Sequence, residues 1–411
     1  MTPVELSRTV LRAMRHAVDA GELSVAVPVA AGSVRVERPR PGGCGDFATN
    51  VALQIAGAAG RSPRDVAEVL SPRLAAEPGI AGVDITGPGF LNITLAGARA
   101  DAVVREIRER GGCYGHVHPD TGGVAQIHVP REIRAAVLAD SARRILRSQG
   151  VLVRVTCDGA PDGASDDASD DVSDPAWADA LDALDVRIDA YGRPPEPLPT
   201  LRPVPAASTG SAGPAPLRLG RDATRWALLH PAPHDHPRIT PEQGGDEHLV
   251  QRESNPLFRV RYAYARSRAL TRNAAELGFD AQPGDITDPV SPAGPAGPAG
   301  RTSPVDPLGP AASALLDALG DYPATLASAG RHRAPDRLAR QLVVIADAFL
   351  AFQSAPQAAA PQAAAPHGAV LPLGDEKPSA AHRARLALAE AAGTVLAGGL
   401  SLLGISAPEF L

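Results

Sequence analysis

Lysine is almost absent from this chain of 411 residues: Lys377 is the only one in a combined Lys and Arg count of 40. Any mechanism that needs a catalytic lysine has that single candidate, in a loop near the C-terminus. So one-sided a use of arginine reflects composition as much as selection, which makes each separate arginine a weak signal. Cysteine is scarce too. Cys44, Cys113 and Cys157 are odd in number and far apart, so they supply no disulfide framework. No apolar run approaches membrane-spanning length, and the opening MTPVELSRTVLRAMRHAV is amphipathic without the apolar stretch of a signal peptide. A cytoplasmic protein with no membrane partner is expected.

What is present is length, unevenly distributed charge and one basic helix. The chain is long enough for two or three domains, each with its own core. Residues 158–190 hold eleven aspartates and one arginine, a local net of −10, so the rest stands at +4 within the total of −6. A mildly basic body is compatible with an anionic partner. The stretch Asn255–Ala275 reads NPLFRVRYAYARSRALTRNAA and has a helical period. Phe258, Tyr262, Ala265 and Ala269 are expected on its packing side. Arg259, Arg261, Arg266, Arg268 and Arg272 take most of the rest, with no acidic residue in the run. A basic helix carrying tyrosines suits an RNA backbone plus a stacked base. An arginine-rich solvated face over an ordinary bundle gives the same pattern.

The first 110 residues predict a compact α+β domain. Pro3–Ala20 reads as a helix with a Leu6, Val10, Met14, Val18 stripe, and short β-prone pieces follow at Val25–Val29 and Ser33–Glu37. Asp46 to Asn50 are expected to cap a helix through Ala59, and Ser62-Pro63 opens another to about Ala76. Ile80–Ile85 and Phe90–Leu95 are strand-like around Thr86-Gly87-Pro88-Gly89, and Ala98–Arg110 closes the unit as a helix.

The motifs GDFATNVALQIA, PRDVAEVL and GPGFLNITL resemble the N-terminal additional domain of arginyl-tRNA synthetases. In that family the domain contacts the outer corner of the tRNA near its D-loop. The resemblance implies RNA-facing groups at Asp46, Phe47, Asn50, Gln54, Phe90 and Asn92. An aromatic face can stack on a splayed base while an amide reads its edge. The alternative is that Phe47 and Phe90 are core and Asp46 and Asn50 are caps. Cys113-Tyr114-Gly115 matches the family's Tyr-Gly hinge. Cys113, His116 and His118 lack a fourth ligand at a recognisable spacing, so no metal site is expected.

Val124–Val129, Arg131–Gln149 and Val151–Cys157 predict a strand–helix–strand unit. It resembles the first βαβ of the family's nucleotide-binding fold, where a His-Ile-Gly-His-type loop meets ATP phosphates at a helix N-terminus. Here His128-Val129 runs directly into Pro130-Arg131-Glu132-Ile133 without that motif. The interval that holds the rest of the family's catalytic fold, with its Lys-Met-Ser-Lys-Ser-type loop, is several-fold shorter and has no lysine. It contains instead the acidic run, an expected short helix at Trp177–Val186 and short strand at Arg187–Tyr191, and a Pro/Ala/Ser-rich linker. Two strands rarely suffice alone, so the unit is expected to borrow Arg187–Tyr191 or to pack on a neighbour.

Leu219–Leu229 matches the segment that leaves the family's catalytic domain. RVRYAYARSRAL resembles its Val-Gln-Tyr-Ala-His-Ala-Arg signature through Tyr262, Ala263, Ala265 and Arg266. Helices are expected at Ala311–Leu319, Tyr322–Ala329, Pro335–Gln353 (Leu338, Leu342, Ile345 and Phe349 inward) and Ala380–Leu403. They resemble the family's anticodon-binding bundle, with Leu350, Gln353 and Leu411 where the family has His, Tyr and Met.

The expected fold class is therefore α+β: an N-terminal domain over residues 1–115, a reduced βαβ remnant over 116–230, and a helical bundle over 231–411. Linkers are expected at 158–176 and 192–216, and low-complexity inserts at 281–309 and 354–369. The resemblance implies a tRNA-binding protein with arginine tRNA as partner. Its RNA-facing residues would be Tyr262, Arg266, Arg259, Arg261, Arg268, Asn50, Phe90 and Asn92, with no metal and no cofactor. Without either ATP-handling motif, the expectation is a protein that is not an enzyme. Two alternatives stand beside it: a regulatory partner of an intact aminoacyl-tRNA synthetase, and a residual arginine–tRNA ligase that binds ATP.

Overall fold

The computed structural model describes residues 3–24, 34, 36–37, 47–95, 99–117, 123–159, 175–192, 200–206, 218–284, 286, 310–354 and 369–411. The strand expected at Val25–Val29, the side chains of Asp46 and His118, the acidic run 160–174 and most of both inserts lie outside them. The chain divides into two compact units, residues 1–105 and 106–411.

In the first unit, α1 (Pro3–Asp19), α2 (Val51–Ala59) and α3 (Pro63–Ala75) accompany a four-stranded antiparallel sheet. Its order is β1 (Val36–Glu37), β2 (Phe47–Thr49), β4 (Phe90–Leu95), β3 (Ile80–Thr86). Leu6, Val10, Val66, Leu70, Leu91 and Ile93 are wholly buried in one core. Ser62 opens α3 with a capping box: its hydroxyl accepts from Asp65 N at 3.1 Å, and Asp65 accepts from Ser62 N at 3.3 Å. Phe47–Thr49 departs from the expected cap. It forms a strand, with Phe47 opposite Ile93 in β4 and buried in the core, because the sheet offers its backbone partners that a cap would not. Asn50 stands at the N-cap position of α2, but its side chain makes no capping bond. In the β3–β4 turn, Gly89 has φ +138°, and a Cβ there would lie 2.6 Å from the Pro63 carbonyl oxygen, so only glycine fits.

α4 (Arg99–Arg110) carries the chain across the boundary. In the second unit, β5 (Val124–Val129), α5 (Ile133–Ser148) and β6 (Leu152–Cys157) form the βαβ element. β7 (Ala190–Tyr191) adds a third parallel strand against β6, as the borrowing expectation requires. α6 (Pro175–Ala183) and α7 (Gly220–Leu229) follow, then the helices α8 (Pro256–Glu276), α9 (Pro310–His332), α10 (Pro335–Ser354) and α11 (Ala380–Leu402). In α10 Leu338, Leu342, Ile345 and Phe349 are all wholly buried.

Two further features differ from what the sequence suggests. α9 is one helix through Pro323, not two. Proline cannot donate to the carbonyl four residues back, and that carbonyl, Leu319, accepts instead from the buried Tyr114 hydroxyl at 3.2 Å. Tyr114 also stacks on Tyr322, and Gly115 (φ +79°) lies so close that a Cβ would sit 3.2 Å from Pro323 Cα. The Tyr-Gly pair thus mends a helix. The second difference is the face of α8. Its buried row is Leu257, Val260, Ala263, Ser267, Leu270 and Ala274, with Ala265 beside it. Phe258 is half-buried and Tyr262 is 42% exposed, so these two do not line the packing side.

Candidate nucleic-acid interface

α8 is aimed by its first residues. Asn255 Oδ1 accepts from Leu257 N at 3.0 Å, while its Nδ2 donates to the His248 and Val250 carbonyls. Pro256 occupies the first helical position. With the packing row turned inward, the arginines divide between two sides. On the side towards α10 stand Arg259 and Arg266, and Phe258 and Tyr262 stack at 5.7 Å between centroids, one helical turn apart. Arg259 pairs with Asp347 at 3.1 Å, and Arg266 Nε donates to Gln353 Oε1 at 3.0 Å. Burial holds the Asp347 carboxyl above its ordinary range, against the opposing pull of Arg259. Gln353 is thereby engaged with Arg266.

On the other side, Arg261 reaches Asp222 and Ser406, and Arg268 donates to Glu409 at 3.2 Å. Arg272 lies 3.8 Å from the same carboxylate, with its guanidinium 4.4 Å from the Phe410 ring centroid. Between α7 and the start of α8 lies a cavity of about 310 Å³, lined among others by Arg221, His248, Phe258, Arg261 and Leu411. One aromatic wall and two guanidinium groups suit a base and its phosphate. The basic face expected from the sequence is thus two rows with different partners. Glu409 and Phe410 were not singled out by sequence, and Phe258 was expected on the packing side, although the i, i+4 spacing of Phe258 and Tyr262 signals the stack.

In the first unit, Phe90 stands 40% exposed at the end of the β3–β4 hairpin. Asn92 is buried, and its Nδ2 donates to Thr86 Oγ1 at 2.7 Å. Asn50 accepts from Gln54 Nε2 at 3.1 Å, one turn into α2. These three belong to the unit that ends at residue 105, and the α8 residues belong to the other.

At the βαβ element the start of α5 is closed by Glu132. Its carboxylate accepts from Arg134 N at 3.0 Å, Ala135 N at 2.8 Å and Ala206 N at 3.1 Å. His128 lies within β5, with its ring nitrogens 2.9 Å from Thr156 Oγ1 and from Asp158 Oδ1.

Residues 9–95 match the family description "Arginyl tRNA synthetase N terminal domain", and residues 260–411 match "DALR anticodon binding domain". The chain belongs to the arginyl-tRNA synthetase family. It is 28% identical to the arginine–tRNA ligase of Paenarthrobacter aurescens strain TC1, in an alignment 583 residues long that covers all of both chains. It is 44% identical to that of Renibacterium salmoninarum over 163 residues, which is 37% of this chain but only 30% of that relative's length. The fold is that of the Thermus thermophilus arginyl-tRNA synthetase structure, with a TM-score of 0.63, 16% identity and full coverage of both chains. The mixed α+β class and the helical anticodon-binding domain stand. The expectation that the chain is not an enzyme is corrected: relatives aligned over their whole length carry the name of a ligase. Two motifs missing from one sequence are a weaker criterion than that end-to-end similarity.

Proposed function

We propose that this synthetase-family chain binds tRNA, arginine tRNA first among candidates, through the outward face of α8. The observation that carries the reading is the Phe258–Tyr262 stack, which stands beside Arg259 and Arg266 and borders the cavity between α7 and α8. Tyr262 offers an exposed ring to a base, Arg266 and Arg259 offer charge to phosphates, and Arg261 faces the cavity. Phe90, with Asn50 on the same small unit, supplies a second contact near the tRNA corner, whereas Asn92, expected there from the sequence, is buried against Thr86. The match of residues 260–411 to an anticodon-binding domain supports the assignment. Filter binding of an arginine tRNA transcript at two salt concentrations tests it, because phosphate contacts make affinity fall steeply with salt. Preference for arginine tRNA over other tRNAs is the expected result, and no binding at low salt overturns it.

A second reading, ligation of arginine to that tRNA, is favoured by the printed name of the full-length relatives. It is measured by ATP–pyrophosphate exchange with arginine and tRNA present. Exchange above the protein-free background supports ligation, and its absence leaves the binding reading alone in place.

A further inference from the structure

The segment that follows α11 does not leave the bundle but runs along the second arginine row of α8. It is fastened at three points. Gly404, in the left-handed region at φ +71°, has no room for a side chain, because a Cβ would meet the buried Arg225 guanidinium; Arg225 Nε donates to Leu403 O at 2.8 Å. Ser406 then shares Asp222 with Arg261: its N donates to Asp222 Oδ1 at 3.3 Å, and Arg261 Nε donates to Ser406 O at 3.2 Å. Lastly Glu409 takes Arg268 at 3.2 Å and Arg272 at 3.8 Å, while Phe410 lies over Arg272 and keeps 72% of its surface in solvent.

Glu409 and Phe410 thus present to two arginines one anionic group followed by one aromatic ring. That is the chemistry a nucleotide presents with its phosphate and base. Burial does not explain the arrangement, since a phenylalanine placed for its apolar surface would be turned inward. The arginines are half-exposed and so is Glu409, so each pair is individually weak and displaceable by a denser anion. Phosphates bind guanidinium groups in the same forked geometry as carboxylates, so the two compete for the same donors.

We propose that Glu409 and Phe410 act as an internal nucleotide mimic that covers Arg268 and Arg272 and is displaced when RNA binds. The inference rests on the α8 reading given above. It adds that part of the RNA-binding charge is masked in the free protein, so that Arg268 and Arg272 become available only when residues 406–411 lift.

The test measures affinity for a labelled arginine tRNA transcript in the full chain and in three variants: Glu409→Gln, Arg268→Gln with Arg272→Gln, and all three together. The Glu409→Gln chain is expected to bind about three- to tenfold more tightly, as loss of two exposed pairs allows. Its salt dependence should be steeper by about one to two phosphate contacts. That gain should vanish when Arg268 and Arg272 are already glutamine. Equal, salt-dependent binding by wild type and Glu409→Gln overturns the mimic and leaves the α8 reading intact. A gain that persists without the two arginines also overturns it, since removal of one negative charge then explains the effect. No binding by any of the four proteins removes the α8 reading and the mimic with it.

Discussion

The Tyr114 hydroxyl donates to the Leu319 carbonyl at 3.2 Å, across 205 residues of sequence, at the place where Pro323 leaves α9 one hydrogen bond short. Tyr114→Phe keeps the ring and its stack on Tyr322 but strands a buried carbonyl, at a cost of about 1–3 kcal/mol. Pro323→Ala restores the helix's own donor, so Tyr114→Phe should be close to neutral in that background. Urea denaturation of the two single variants and the double variant measures the coupling. Additive effects would show that the hydroxyl does not stand in for the missing donor.

A larger loss is expected at Asp140. Its side chain is wholly buried and takes Arg225 at 2.8 Å, Arg144 at 3.0 Å and Arg143. Burial pushes its carboxyl up, but Arg225, Arg144 and Arg143 outweigh that and hold it below the ordinary range. Asp140→Ala leaves Arg225 buried without a counter-charge and should cost about 3–5 kcal/mol. The exposed pair Arg218–Asp246 is the control: Arg218→Ala should change stability by less than about 1 kcal/mol. Chemical denaturation at pH 7 compares the two.

Acid should weaken the fold through His230. Its ring stacks on Trp226 at 5.2 Å, and burial, with Arg340, His248 and Arg259 nearby, pushes its pKa down to about 4. The folded value lies below the unfolded one, so the unfolded chain binds more protons between roughly pH 6.5 and 4. Stability is then level above that window and falls as pH drops through it, by an amount on the order of 2 kcal/mol for a partly buried group. His248 is also pushed down by burial, in spite of its bond to the Arg238 carbonyl, and adds to the same slope. His230→Gln should flatten the pH 7 to pH 5 change in urea midpoint without abolishing it. An unchanged slope would place the titration elsewhere.

Much of this fold is legible in the sequence where local periodicity decides it. The Leu338, Leu342, Ile345, Phe349 stripe, the Ser62 capping box and the limits of β4 and β5 all rest on residues close together in the chain. The face of α8 was not legible for a definite reason. Leu257, Val260, Ala263 and Phe258, Tyr262, Ala265 are both apolar rows at helical spacing, one or two residues apart, and only α10 and α11 choose between them. The break expected between Leu319 and Tyr322 is absent because a hydroxyl from far away in the chain compensates for Pro323. The arginines of α8 were visible, but their partners Asp347, Gln353 and Glu409 are supplied by distant segments. Of the RNA-facing candidates, Asn50, Phe90 and Asn92 were legible only through family resemblance, whereas the tyrosine and arginines of α8 were marked by the basic helix itself.

The decisive mutations lie on the stack itself. Tyr262 is the exposed member of the Phe258–Tyr262 pair, and removing a ring on which a base stacks costs about 1–3 kcal/mol of binding. Tyr262→Ala should therefore weaken tRNA binding by roughly five- to 150-fold. The salt dependence should stay unchanged, because no charge is lost. Arg266→Gln should act differently: its donor to Gln353 is a surface contact, so stability changes little, while the salt slope of binding falls by about one contact. Phe258→Ala tests the support of the tyrosine, since it removes the ring's neighbour and leaves the exposed face. A loss smaller than that of Tyr262→Ala, with the salt slope again unchanged, is expected. If Tyr262→Ala and Arg266→Gln leave both affinity and slope as they were, RNA does not bind this side of α8, and the arginine-rich solvated face is the better account of the helix.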